Sequence, residues 1–470
     1  MKRRFESLKI KQLGGALKQA FVDSDTDYTS VGLSKAIFLL SVPMVLEMLL
    51  TSIFSLADMF FVSRLGNDAV ATIGLTEAVI NLVYSVAFGI SIATTAIISR
   101  RVGERKFRAA SEAALQSIWI GTAISLLIAI PGILFASDIL HLMGGNKTIS
   151  GDMSGYMAIS LGGSFSIILI FINNAIFRSS GKPLLALRTL AVANLLNIIL
   201  DPLMIFGIGS WQGMGIEGAA WATLIGRGTA VFYQLYVLSR EAQLVSLRKA
   251  RKYFDFDVIR SILKLSAGGI SQNFAATFSW LLLVRIISSL GSVAVAGYTI
   301  ALRILLFILL PVAGVANATS TLVGQNLGAK KPERAVRTVK IAGGVSAAIM
   351  FLAGVLCFIF AEQAVTLFAT QAETAAAATR GLRYLAVGFP IYALGMVMMN
   401  ALNGAGDTTT PFRINILCYL VIEISLALLL AYILKLNETG IYISILAAEL
   451  AFTASAIYFF AKGKWKAVKV

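Results

Sequence analysis

The sequence predicts an all-α polytopic membrane protein of twelve transmembrane helices arranged as two parallel six-helix repeats, and three observations carry that prediction. The first is composition. Of 470 residues, 57% are hydrophobic and 14% charged, with a mean hydropathy of +0.82, whereas a soluble domain carries about 25% charged residues. The second is spacing, since apolar stretches long enough to cross about 30 Å of hydrocarbon recur along the whole chain. The third is an internal repeat. Arg64-Leu-Gly-Asn-Asp-Ala-Val-Ala-Thr-Ile-Gly74 aligns with Ser289-Leu-Gly-Ser-Val-Ala-Val-Ala-Gly-Tyr-Thr299 at an offset of 225, and the same offset pairs Gly103 with Gly328 and Gly181 with Gly406.

The spans fall near 34–63, 67–98, 114–140, 153–178, 184–208 and 215–238 in the first half. In the second half they fall near 262–289, 292–324, 336–361, 382–404, 412–435 and 439–461. Six spans separate equivalent points of the repeat, and because six is even both halves have the same orientation, related by an axis along the membrane normal. The expected organisation is a basic N-terminal segment 1–33, a first lobe 34–238, a linker 239–261, a second lobe 262–461 and a tail 462–470. Within residues 1–22, Phe5, Leu8, Leu13, Leu17 and Phe21 lie near helical spacing among lysines and suggest an interfacial helix interrupted at Gly14 and Gly15.

A net charge of +16 raises the question of a nucleic-acid partner, and the placement of the basic residues answers it. Arg100, Arg101, Arg105, Lys106 and Arg108 follow the second span; Arg178, Lys182 and Arg188 surround the turn after the fourth. Arg240, Arg248, Lys249, Arg251 and Lys252 follow the sixth, and Lys330, Lys331, Arg334 and Arg337 the eighth. This alternation is topological and needs no nucleic acid. By the positive-inside rule it places both termini in the cytoplasm of a multi-pass plasma (inner) membrane protein. Cys357 and Cys418 lie inside apolar spans and His141 in an outer loop, so neither a disulfide framework nor a metal-ligand cluster is indicated, and an enzyme is not expected.

An ionisable side chain at the centre of a span costs about 2.5–3.5 kcal/mol on insertion scales and asks for an explanation. Candidates are Glu47, Asp58, Glu77, Asp201, Glu423 and Glu449. Asp58 precedes the outer turn at Gly66 by eight residues and Asp201 precedes Gly209 by eight, which puts both at one depth, roughly 12 Å below the outer turns. Asn197 shares the face of Asp201, Asn194 lies one turn below, and Tyr156 and Thr223 reach comparable outer levels. Carboxylates with amide and hydroxyl oxygens suit two tasks: replacing the water shell of a small cation, or sharing and releasing protons. Capping of a neighbouring helix by Asp201, or outward snorkelling of Asp58, is the purely architectural alternative. Glu47 shares one side of its span with Asp58 unless Pro43 bends the helix. It reads equally as a second proton carrier, a contact for a cationic substrate, or a neutral acid bonded between helices. Glu423 and Glu449 lack an accompanying amide cluster. At the repeat offset Asp58 corresponds to Leu283 and Asp201 to Leu426, so the expected cation chemistry belongs to the first half alone.

These residues resemble the multidrug and toxic compound extrusion (MATE) family from about residue 34 to 460. The resemblance rests on Val42-Pro-Met-Val-Leu-Glu47, then Asp58 fifteen residues after Pro43 and before Ser63-Arg-Leu-Gly66. It rests also on Leu322-Val-Gly-Gln-Asn-Leu-Gly-Ala-Lys-Lys331 and on Asn403-Gly-Ala-Gly-Asp-Thr-Thr-Thr-Pro411. It implies two six-helix lobes around a V-shaped central cavity and export driven by inward H+ or Na+, with no other cofactor. Its cation site maps onto Asp58, Asn197 and Asp201, with Tyr156 and Thr223 beside them; if Na+ is the ion, Asp58, Asp201 and Asn197 are its ligands. Glu47, Asn194 and Gln272 are the candidates for a substrate or secondary proton site, and Pro43 for a bend point. Gln272 stands where the NorM-like branch has an acid and the tenth span has no carboxylate, so a DinF-like or related prokaryotic branch fits better. The expected cargo is a cationic or amphiphilic small molecule handled by a monomer in contact with membrane lipid. A flippase for lipid or lipid-linked oligosaccharide is the alternative, since Arg227, Arg285 and Arg303 also lie in apolar spans; a channel or receptor would need a pore constriction or ligand domain that the sequence lacks.

Overall fold

A computed structural model describes residues 19–21, 26–240, 244–369 and 371–470, with the side chains of 53–59 and 63 excluded. The expected interfacial helix over 1–22 therefore lies, but for residues 19–21, outside the described residues. Twelve long helices follow: α1 Leu33–Val62, α2 Asn67–Gly103, α3 Phe107–Leu134, α4 Ser154–Ser179 (broken at Gly163), α5 Pro183–Phe206 and α6 Ile216–Leu238. The second set is α7 Phe256–Ser288, α8 Ser292–Gly328, α9 Pro332–Ile359, α10 Ala372–Gly404, α11 Thr409–Ile433 and α12 Asn437–Lys462. Eleven are long and apolar enough to cross a membrane. The sixth expected span forms α6, which falls outside that group because glycines, Arg227 and Gln234 dilute its apolar residues. A two-residue hairpin, Gly207–Ile208 with Trp211–Gln212, joins α5 to α6.

The repeat read from the sequence is also a repeat of backbone. Helices α2 and α8 each have 37 residues and start 225 positions apart, and α3 and α9 each have 28 at the same offset. Residues of positive φ recur with it: Gly66 at 102° and Gly291 at 107°, Arg105 at 60° and Lys330 at 58°, Gly181 at 83° and Gly406 at 88°. Gly66 and Gly291 combine that φ with ψ of 176° and 165°, a region essentially restricted to glycine. Each turns the chain between the first and second helix of its repeat. In the second copy α11 departs from regularity, with π-helical stretches at Ile416–Glu423 and Leu429–Ile433; such insertions widen the turn and re-aim the side chains around it.

The chain divides into two compact units, Met1–Asp27 with Leu46–Ile270, and Tyr28–Val45 with Ser271–Val470. The divisions run through α1 and α7 at positions 225 apart. In the first unit, Val62, Ala69, Ile73, Tyr156, Ile205 and Ile216 form a buried apolar cluster at the end where α1 turns into α2 and α5 into α6. In the second unit, Tyr298, Leu305, Leu382, Phe389, Tyr442 and Ile445 belong to a larger core, and the segment before α1 is tied to the start of α9, where Lys331 Nζ donates to the Thr29 carbonyl at 2.9 Å and Arg334 Nη2 to the Tyr28 carbonyl at 3.2 Å. Large apolar side chains such as Leu127, Leu134, Phe232, Phe351 and Leu352 face outward. That inversion is expected where the surrounding medium is lipid.

Candidate cation site in the first unit

Helix α5 presents a polar stripe. Thr189, Asn194, Asn197 and Asp201 are buried, and so are Ala193 and Ile205, whereas Val192, Leu195 and Ile199 are exposed. Spacings of three and four residues put the buried set on one face of the helix and the exposed apolar residues on the other. Pro202 has no N–H to give the Ile198 carbonyl, which loosens the helix beside Asp201. Asp201 is fully buried, and one turn beyond it Ile205 enters the apolar cluster that also holds Tyr156 and Val62.

Asn197 Nδ2 donates to Thr223 Oγ1 of α6 at 3.1 Å. Close helix approach makes this bond: Gly226, one turn past Thr223, faces Asn197, and a Cβ there would lie 3.0 Å from the Ala193 carbonyl and 3.2 Å from the Asn197 Cβ. Asn197 Oδ1 is buried with no partner among the described residues, so an acceptor oxygen stands open one turn from the Asp201 carboxylate. One turn lower, Asn194 Nδ2 donates to the Leu50 carbonyl of α1 at 3.2 Å. Asp58 lies on α1 one turn before Val62, but its side chain lies outside the described residues. Asp201, Asn197 and Asn194 thus share the buried face of α5, with Asn197 bonded to Thr223, and Tyr156 lies in the apolar cluster that Ile205 enters.

Glu47 sits farther down α1 and is 2% exposed. Its Oε1 accepts from Asn174 Nδ2 at 2.9 Å and from Arg178 Nη1 at 3.2 Å, both on α4. Asn174 Oδ1 accepts from Gln234 Nε2 of α6 at 2.7 Å, and Gln234 Nε2 also donates to Thr189 Oγ1 of α5 at 3.0 Å. Four helices of the unit are therefore joined by one buried network. Asn174, Arg178, Gln234 and Thr189 are the functional candidates that sequence reasoning does not single out. Charge placement assigns Arg178 to the turn after the fourth span, yet it is buried, and its spacing of four from Asn174 is the signal that could have placed both on one inward face.

Gln272 belongs to the second unit, where its amide and that of Asn403 bond reciprocally at 3.1 and 3.0 Å and its Nε2 also donates to the Thr408 carbonyl at 3.0 Å. In the same unit Ser279 Oγ donates to Glu423 at 2.7 Å and Tyr419 Oη to Glu449 at 2.8 Å. Among the described residues, no group of three or more His, Cys, Asp or Glu side chains is arranged to hold a metal ion.

Two repeats of six long helices each, with buried carboxylate and amide groups inside apolar helices, are the architecture of a polytopic membrane transporter. The MatE family model matches residues 43–203 and again 270–429, one match in each repeat, and the chain belongs to that family. It is 26% identical over 437 residues to the uncharacterized transporter YisQ of Bacillus subtilis, covering 92% of this chain and 95% of that protein. It is 25% identical to the probable multidrug resistance protein YoeA of the same organism, with 93% and 95% covered. Among solved structures, a MOP-superfamily transporter from Pyrococcus furiosus superposes with a TM-score of 0.87 at 24% identity, covering 94% of this chain and 98% of that one. That likeness supports the fold.

Proposed function

We propose that this protein is a secondary-active exporter of lipophilic, cationic small molecules, driven by inward flow of H+ or Na+ through the first unit, as a monomer in the plasma membrane with both termini in the cytoplasm. The observation that carries the reading is Asp201, fully buried within a membrane helix and one turn from the open Asn197 oxygen and its Thr223 contact, in a chain whose relatives are named for multidrug resistance. Protonation of Asp58 and Asp201, or Na+ between them with Asn197, removes negative charge that would otherwise hold a cationic cargo. A coupling ion shifts the equilibrium between two states only by its differential affinity for them. Pro43 inside α1 is the bend point in this scheme. Glu47, Asn194 and Gln272 are the candidates for a substrate or secondary proton site, and the glutamine at 272 with the lack of a carboxylate in the tenth span supports a DinF-like branch.

The test is efflux of a fluorescent cation by Asp58→Asn and Asp201→Asn proteins at matched expression, with uptake into inverted vesicles under separately imposed pH and sodium gradients. Loss of transport in both variants, with dependence on one gradient, is expected. Normal transport by both variants removes the proposal.

A further inference from the structure

The start of α3 and the segment that precedes α7 border an open basic cleft of about 540 Å³ whose lining includes Arg105, Lys106, Phe107, Arg108, Glu112 and Arg251. Its two walls are fixed to each other. Ser246 N donates to Ser111 Oγ at 3.0 Å, both residues buried; Gln116 Nε2 donates to the Tyr253 carbonyl at 2.6 Å; and the rings of Trp119 and Phe254 lie 4.7 Å apart. The cleft is therefore a built feature of the first unit, although one wall comes from the linker between the two repeats.

Its charges are largely available to a ligand. Arg105, Lys106 and Arg108 meet Asp27, Glu104 and Glu112 at 3.3, 2.8 and 3.6 Å, but their side chains remain 79, 67 and 61% exposed, and exposed pairs of this kind contribute little. Arg251 is exposed and has no partner among the described residues. Comparison with the second copy sharpens the point. There the segment 28–31, equivalent to 253–256, puts the carbonyls of Tyr28 and Thr29 onto Arg334 and Lys331 at the start of α9. At the repeat offset Arg334 corresponds to Ala109, and in the first copy the Tyr253 carbonyl accepts instead from the uncharged amide of Gln116, so this contact engages none of the cleft's basic side chains.

Beside the cleft Tyr253, Phe254 and Phe256 are exposed, Phe256 to 79%. Aromatic side chains in such positions mark the level of lipid headgroups, and basic pockets at the cytoplasmic ends of membrane helices recognise anionic headgroups. We infer that this cleft binds the phosphate of an anionic phospholipid from the cytoplasmic leaflet, with Arg108 and Arg251 as its principal ligands and the exposed aromatics lying along the lipid. A soluble phosphate would use the same arginines but gain nothing from the aromatic rim.

The experiment titrates the full chain in detergent with short-chain phosphatidylglycerol, phosphatidylcholine or inorganic phosphate, reading retained lipid by native mass spectrometry and the rise in unfolding temperature. The wild-type protein is expected to retain phosphatidylglycerol selectively. The Arg108→Gln/Arg251→Gln protein is expected to lose roughly 30-fold in that affinity, since each basic residue near an anionic surface contributes about a factor of five. Arg108→Lys/Arg251→Lys keeps the charge and is expected to retain most of the binding, which separates loss of the site from loss of fold. Equal retention of phosphatidylglycerol by wild type and the glutamine protein overturns the inference. So does equal binding of phosphatidylcholine, and so does an inorganic phosphate shift matching that of the lipid at the same concentration.

Discussion

Breaking the Glu47–Arg178 pair tests whether the lower network holds the first unit together. The pair has a separation of 3.2 Å, with side chains 3% and 10% exposed, and Arg178→Gln leaves the Glu47 carboxylate buried with Asn174 as its remaining donor. Removing one partner of a buried pair costs about 3–5 kcal/mol, because the other charge stays desolvated and uncompensated. At about 2–4 °C per kcal/mol for a unit of 150–250 residues, unfolding should fall by on the order of 10 °C. Glu47→Gln strands the arginine instead and should cost a similar amount. The double substitution removes both charges, keeps amides able to bond Asn174, and should recover most of the loss, giving a coupling of about 2 kcal/mol or more. Thermal melts followed by far-ultraviolet circular dichroism in one detergent at fixed salt measure all four proteins. Single effects that add to within about 0.5 kcal/mol in the double variant would refute the reasoning, since the two side chains would then not be acting on each other.

Two further substitutions probe the scaffold and the site. Gly226→Val should separate α6 from α5, break the Asn197–Thr223 contact and abolish efflux while costing about 1–3 kcal/mol of stability by overpacking; efflux assays beside melts read both effects, and normal transport would show that the contact is dispensable. Gly66→Ala and Gly291→Ala each meet no atom within 4 Å, so their penalty is backbone strain alone, about 1–3 kcal/mol, and should be nearly equal at the two sites; melts of the two variants that differ by more than about 1 kcal/mol would mean that the turns are not equivalent.

Much of this was legible in the sequence, for identifiable reasons. Helices were readable because lipid demands long apolar stretches, and the repeat because Gly66, Gly181 and their counterparts occupy backbone conformations that other residues avoid. Counting turns from two helix ends puts Asn197 and Thr223 at a similar level, and their side chains bond there. Burial of Arg178 is harder to read, because charge counting assigns every arginine near a helix end to the aqueous side; its spacing of four from Asn174 points to an inward face, and the partner Glu47, 131 residues earlier, fixes it there. Gln272 is a polar residue inside a span, a position that suggests transport chemistry, and its reciprocal amide pair with Asn403 is a contact that no local pattern in the sequence reveals. Nor does hydropathy show where α1 and α7 pass from one unit to the other, since the helices continue unbroken through those points.

That passage has a consequence for how the protein can be cut and how it could have arisen. A break in the linker near residue 240 leaves the first fragment with Tyr28–Val45, which packs with the second unit, and the second fragment with the stretch up to Ile270, which packs with the first. Neither fragment holds all the parts of one folding unit, so each must borrow a half-helix from the other, and split chains have to be produced together. A half-length ancestor with the same arrangement would have met this requirement as a pair of identical chains exchanging their leading half-helices, and fusion would have made that exchange permanent.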